Sequence, residues 1–85
     1  MIRYSKHAEK FILSQGKSTA LRIYNAVEQL PSGDVKRLYG QMNPPLQRLR
    51  VGTYRVIFYQ EQGVVTVVKV DTRGDIYKHM QRKQR

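Results

Sequence analysis

The sequence predicts a single α+β domain in which two short helices precede an antiparallel β-sheet and cover one of its faces. Three observations carry that expectation. Ala20, Ile23, Val27 and Leu30 recur at three- and four-residue steps, which lays one apolar stripe along a helix. From residue 48 the period switches to two, with Leu49 and Val51 opposing Arg48 and Arg50. At 85 residues the chain has room for one modest core, so the domain is expected to span residues 1–85.

The elements follow in order. Ile2 to Tyr4 reads as a short N-terminal strand, and Ser5 is placed to cap a first helix running to about Gln15, where Gly16 ends it. Ser18 is expected to cap the second helix, which Pro31-Ser32-Gly33-Asp34 stops. Val35 to Pro45 is expected to be irregular, because Gly40 and the Pro44-Pro45 pair oppose regular structure. After the first strand of the meander, a Gly52-Thr53 turn leads into a second, on which Tyr54, Val56 and Phe58 oppose Arg55, Ile57 and Tyr59. Gln60-Glu61-Gln62-Gly63 turns the chain into a Val-rich third strand, Val64 to Val70, whose composition marks it as central. The remainder opens as a loop at Thr72-Arg73-Gly74 and closes in the basic tail KHMQRKQR, where Ile76 and Met80 leave a helical turn or a frayed end open.

Sixteen Lys and Arg against six Asp and Glu give a formal charge of +10, which attracts polyanions: nucleic acid or an acidic protein. The absence of cysteine rules out a disulfide framework or a thiolate metal site. The charged N-terminus MIRYSKHAEKF has no apolar core of the kind a signal peptide needs, and no window approaches a membrane-spanning run. A cytoplasmic protein with no membrane partner is the expectation.

Between Val35 and Gln60 lie five basic residues and no acidic one, so the charge there reads as locally uncompensated. Arginine offers a planar fork of donors that stays protonated, and several forks converging on one site can hold a phosphodiester and oppose charge growing on it. Helices on one sheet face leave Arg48, Arg50 and Arg55 to project from the other. His7 and His79 lie at opposite ends of the chain, no carboxylate pair has ligand spacing, and no nucleophile motif or phosphate-cradling glycine loop is present, so no metal or cofactor is expected. What remains is chemistry in which the substrate brings its own nucleophile. The 2′-hydroxyl of RNA does so, leaving a protein to align the backbone, stabilise a pentacoordinate phosphorane and move protons. Tyr77, four residues after Arg73, is one proton carrier, with His79 as the fallback and a packing role for Tyr77 beside Ile76 as the alternative.

The segments GDVKRLYG, LQRLRVGTYRVIF and DTRGDIYK, joined by the Val-rich strand, resemble the RelE/ParE superfamily of toxins from bacterial and archaeal toxin–antitoxin pairs. The resemblance is clearest over residues 33–78. It implies a RelE-like fold and, in the RelE branch, metal-free endonucleolytic cleavage of mRNA in the ribosomal A site. It also implies catalytic roles for four residues: Arg48 at phosphate, Arg55 at the transition state, Arg73 at phosphate and Tyr77 in proton transfer. Arg50 is then a supporting or ribosomal RNA contact, and Lys36, Arg37, Lys78, Arg82, Lys83 and Arg85 grip RNA on the ribosome. Some bacterial relatives carry a lysine where this chain has Leu46, so one general base of the family has no counterpart here. The partners implied are a cognate acidic antitoxin, mRNA and the ribosome. The alternative within the superfamily is a ParE-type inhibitor of DNA gyrase with the same fold and no nuclease activity.

Overall fold

The computed structural model of the protein describes residues 1–38 and 43–72. The element order is β1 (Ile2–Tyr4), α1 (Lys6–Ser14), α2 (Lys17–Glu28), β2 (Asp34–Arg37), β3 (Gln47–Val51), β4 (Tyr54–Glu61) and β5 (Val64–Thr72). The strands form one sheet in the order β1-β5-β4-β3-β2. β2 to β5 are antiparallel neighbours, while β1 runs parallel to β5, with Arg3 opposite Thr66. The sheet is therefore mixed, not purely antiparallel as expected, because the N-terminal strand lies outside β5 and leaves it interior.

The first helix begins as the sequence suggests. Ser5 accepts a hydrogen bond from the Ala8 N–H at 3.0 Å, filling one of the donors a helix start leaves open. The second departs from expectation: it starts at Lys17, ahead of Ser18, with Gly16 at the N-cap position. Gly16 has φ +97°, a conformation that costs a residue with a side chain dearly, so the reversal is completed in one residue and the helix resumes at once.

The amphipathic stripes meet the sheet. Ala8 and Ile12 of α1 and Ala20, Ile23 and Val27 of α2 pack with Leu49, Val51, Val56, Phe58, Val65, Val67 and Val70 in one buried cluster. Phe58 is 2% exposed and Ile23 0%, so these side chains have left water completely, at about 1.5–3 kcal/mol of transfer free energy each. Tyr54 anchors the start of β4 to the helices, its hydroxyl donating to Gln15 Oε1 at 3.0 Å and its ring meeting Phe11 edge-on.

Three boundaries differ from the sequence reading. Asp34–Arg37 is a strand and not part of an irregular segment; with one half-buried apolar residue it carries no period of its own, and its pairing with β3 supplies the order. Gly33 precedes it at φ +115°, where a Cβ would come within 2.9 Å of Leu49 Cδ1. The β4–β5 turn is only Gln62-Gly63, with φ of 52° and 79°, the backbone of a primed two-residue turn, so β4 runs on through Glu61. β5 likewise runs on through Thr72, where a loop was expected.

β5 also carries a bulge. Phe58 pairs with Val67 and Ile57 with Lys69, leaving Val68 as the extra residue. Ser5 braces it: its N–H donates to the Val67 carbonyl at 2.9 Å and its hydroxyl to the Val68 carbonyl at 2.8 Å. The extra residue shifts the alternation, so Val65, Val67 and Val70 all face the helices and Lys69 and Asp71 face away.

Candidate phosphate-binding face of the sheet

Opposite the helices, the ladder registers place side chains in rows across the sheet. Asp34, Arg50, Arg55 and Asp71 are successive partners across β2, β3, β4 and β5. The next row holds Lys36, Arg48, Ile57 and Lys69. Each of these positions alternates with a neighbour fixed in the core, Leu49 and Val51 on β3 and Val56 on β4, so burial on the helix side holds the arginines on the other side.

Arg50 and Arg55 are directly opposed like charges, an arrangement unfavourable by itself. The flanking carboxylates offset it. Arg55 Nε and Nη2 meet Asp71 Oδ1 and Oδ2 at 3.3 and 3.4 Å, a two-pronged contact. Asp34 takes Arg48 Nη2 on Oδ1 at 3.3 Å and Arg50 Nε on Oδ2 at 3.5 Å. Lys69 Nζ lies 3.9 Å from Asp71 Oδ2. The charge between residues 35 and 60 is thus partly compensated, contrary to the sequence reading. The two acids stand just outside that stretch, and register alone brings them in. Five basic side chains still face two carboxylates, so the face stays positive.

The three arginines differ in access. Arg50 and Arg55 have side chains 39% and 31% exposed, whereas that of Arg48 is 11% exposed. Arg48 Nε is buried and finds no hydrogen-bond partner among the described residues. Among the described residues Arg55 keeps donors in hand: a guanidinium has five N–H groups, and Asp71 engages two of its nitrogens. A carboxylate that holds the fork from one edge fixes its plane and leaves the other edge for an incoming oxyanion.

Of the other residues singled out in the sequence, Lys36 is exposed and sits opposite Arg48 on the same face, while Arg37 alternates to the other side of β2, opposite Gln47. Leu46 is half-buried, and its carbonyl accepts from the Leu38 N–H at 3.0 Å. Arg73, Tyr77, Lys78, Arg82, Lys83 and Arg85 lie outside the described residues, as do His79 and the basic tail. Among the described residues, no cluster of His, Cys, Asp and Glu could hold a metal ion, and no helix is long and apolar enough to cross a membrane. Tyr4 and Tyr24 meet edge-on at 5.2 Å on the helix side. Burial first, then Tyr24, Glu28 and Glu9, pushes the Tyr4 phenol up to about 12, the wrong direction for a proton carrier near neutrality.

No family model matches the chain, and no curated protein matches it. Solved structures do. The archaeal RelE–RelB complex from Pyrococcus horikoshii OT3 superposes with a TM-score of 0.68 at 25% identity, covering 86% of this chain and 93% of that one. The RelB–RelE antitoxin–toxin complex from Methanococcus jannaschii superposes with a TM-score of 0.68 at 22% identity, covering 91% and 96%. Two helices on one face of a five-stranded mixed sheet, with these neighbours, define a RelE-like toxin fold.

Proposed function

We propose that the chain is the toxin of a type II toxin–antitoxin pair and a metal-independent endoribonuclease that cleaves mRNA in the ribosomal A site. The observation that carries the reading is the row Asp34–Arg50–Arg55–Asp71, with Arg48 beside it: guanidinium groups from two strands gathered on the face opposite the helices, each oriented by a carboxylate. The likeness to two toxin–antitoxin complexes supports the class.

On this reading the 2′-oxygen of the bound nucleotide attacks the adjacent phosphorus as the P–O5′ bond breaks, leaving a 2′,3′-cyclic phosphate and a 5′-hydroxyl. Arg55 donates to the phosphorane oxygens from the edge that Asp71 leaves free, and Arg48 and Arg73 hold the scissile phosphate. Tyr77 takes part in proton transfer, and Arg50, Lys36, Arg37, Lys78, Arg82, Lys83 and Arg85 contact RNA on the ribosome. An acidic antitoxin, attracted by the +10 charge, restrains the toxin in the cytoplasm.

Induction of the parent and of Arg55→Ala in cells, with mapping of mRNA ends, tests the reading. Loss of one transition-state donor costs about 10²–10³ in rate. The parent is expected to arrest growth with breaks inside codons, and folded Arg55→Ala to do neither. Intact mRNA with double-stranded DNA breaks would replace the nuclease by a gyrase inhibitor.

A further inference from the structure

The face opposite the helices continues past the arginines. Beyond the bulge, the next row across the sheet is Tyr59 on β4, Thr66 on β5 and Arg3 on β1, followed by Glu61 opposite Val64. A short threonine between two long side chains leaves a trough, and the Gln62-Gly63 turn closes its end. The cavity has a volume of about 210 Å³ and is lined by Arg3, Tyr59, Glu61, Gln62, Val64 and Thr66. That is below the roughly 300 Å³ at which sites for drug-sized ligands begin, and suits one planar ring.

The lining has the chemistry of a base site. Arg3 and Tyr59 stand on strands either side of β5, so their backbones are about 10 Å apart, and a guanidinium plane and a phenol ring can lean over a flat heterocycle from opposite walls. Val64 offers an apolar floor. Glu61 adds a carboxylate, which accepts hydrogen bonds and donates none at neutral pH. It repels a phosphate, but it suits the amino edge of a base such as cytosine N4. Uracil presents a carbonyl at that position, which would face the carboxylate oxygens lone pair to lone pair.

We infer that this trough is a nucleobase subsite for single-stranded RNA, stacking a base between Arg3 and Tyr59 and selecting, through Glu61, bases that carry an exocyclic amino group. The inference deepens the RNA reading above and rests on it for the choice of ligand. Tyr59 stands four positions beyond Arg55 on β4, about 13 Å along the strand, so an RNA strand running along β4 reaches from the arginine row into the trough.

The test is a fluorescence anisotropy titration of the full chain with labelled hexacytidine and hexauridine. The parent is expected to bind the cytidine oligomer about tenfold more tightly, the discrimination one good base-edge contact supplies. Glu61→Gln, on an exposed hairpin end, should bring the two affinities within about twofold, since an amide can donate to uracil O4. Tyr59→Ala should weaken both oligomers about five- to tenfold, and Tyr59→Phe should restore them. Equal binding of the two oligomers by the parent, no binding of either, or a preference that survives Glu61→Gln overturns the subsite. Cleavage is read separately from mRNA ends in induced cells. A parent that cuts RNA without base preference sinks the trough alone, and one that discriminates the oligomers yet cuts nothing sinks the nuclease reading alone.

Discussion

Arg55 and Asp71 face each other across the β4–β5 ladder, joined by two contacts of 3.3 and 3.4 Å on the sheet face that the helices leave open. The pair holds the guanidinium in one plane. An arginine so held loses less freedom when it meets an oxyanion than one waving in solvent.

Asp71 is therefore expected to be a positioning residue. Asp71→Asn removes one negative charge beside the site, so RNA binding should stay equal or tighten, while the cleavage rate falls about tenfold because the Arg55 fork is no longer fixed. Single-turnover kinetics on programmed ribosomes separates the two effects. A drop in affinity with an unchanged rate would mean that Asp71 does not orient Arg55.

Ser5 supports the fold at two points, as the cap of α1 and as the donor to the bulge carbonyl of Val68. Loss of the cap costs about 1 kcal/mol and loss of the second bond about another 1. Ser5→Ala is expected to lower Tm by roughly 8–16 °C, and Ser5→Thr to retain most of the stability. Thermal unfolding followed by circular dichroism checks this, and an unshifted Tm for Ser5→Ala would contradict it.

Two glycines separate strain from collision. A methyl group at Gly16 would meet nothing within 4 Å, whereas at Gly33 it would press on Leu49, which is 1% exposed and cannot swing away. Both have positive φ, so Gly16→Ala should cost about 1–2 kcal/mol and Gly33→Ala about 2–4. Urea denaturation measures the difference; equal losses would show that the neighbourhood of Leu49 relaxes freely.

The Tyr4 phenol predicts a loss of stability in alkali. Its proton is held up to about 12 in the folded protein by burial and then by Tyr24, Glu28 and Glu9, against an ordinary value of 10.0. The unfolded chain releases that proton first, so the contribution is fully present below pH 10 and disappears as pH rises toward 12. Because Tyr4 is only partly buried, the change is on the order of 1 kcal/mol. Tyr4→Phe should flatten the decline between pH 10 and 12 in unfolding measurements, and an equally steep decline in the variant would assign it to other groups.

The faces of β3 and β4 were legible in the sequence because alternation is a local property: Leu49, Val51, Val56 and Phe58 go in, and Arg48, Arg50 and Arg55 come out. The partners of those arginines were not legible. Asp34 belongs to a four-residue strand with one apolar residue, and Asp71 sits past a bulge that no composition signal marks. Both depend on contacts between residues far apart in the chain. The helix stripe was readable for the same reason as the strands, and the start of α2 was misjudged because Ser18 is a good cap in general while Gly16 supplies the sharper reversal here. The parallel placement of β1 likewise follows from tertiary pairing with β5 and leaves no trace in three residues.

The single supernumerary residue at Val68 works as a phase shifter. Before it, odd-numbered positions of β5 are dry; after it, even-numbered Val70 is dry and odd-numbered Asp71 is wet. Were Val68 taken into a regular ladder instead of left out of it, every letter of the strand would stay and inside and outside would exchange along its second half, sending the Asp71 carboxylate toward the helices and Val70 toward the arginines. The polarity of this half of the sheet is thus a matter of counting, set by one residue and held by the serine that clasps it.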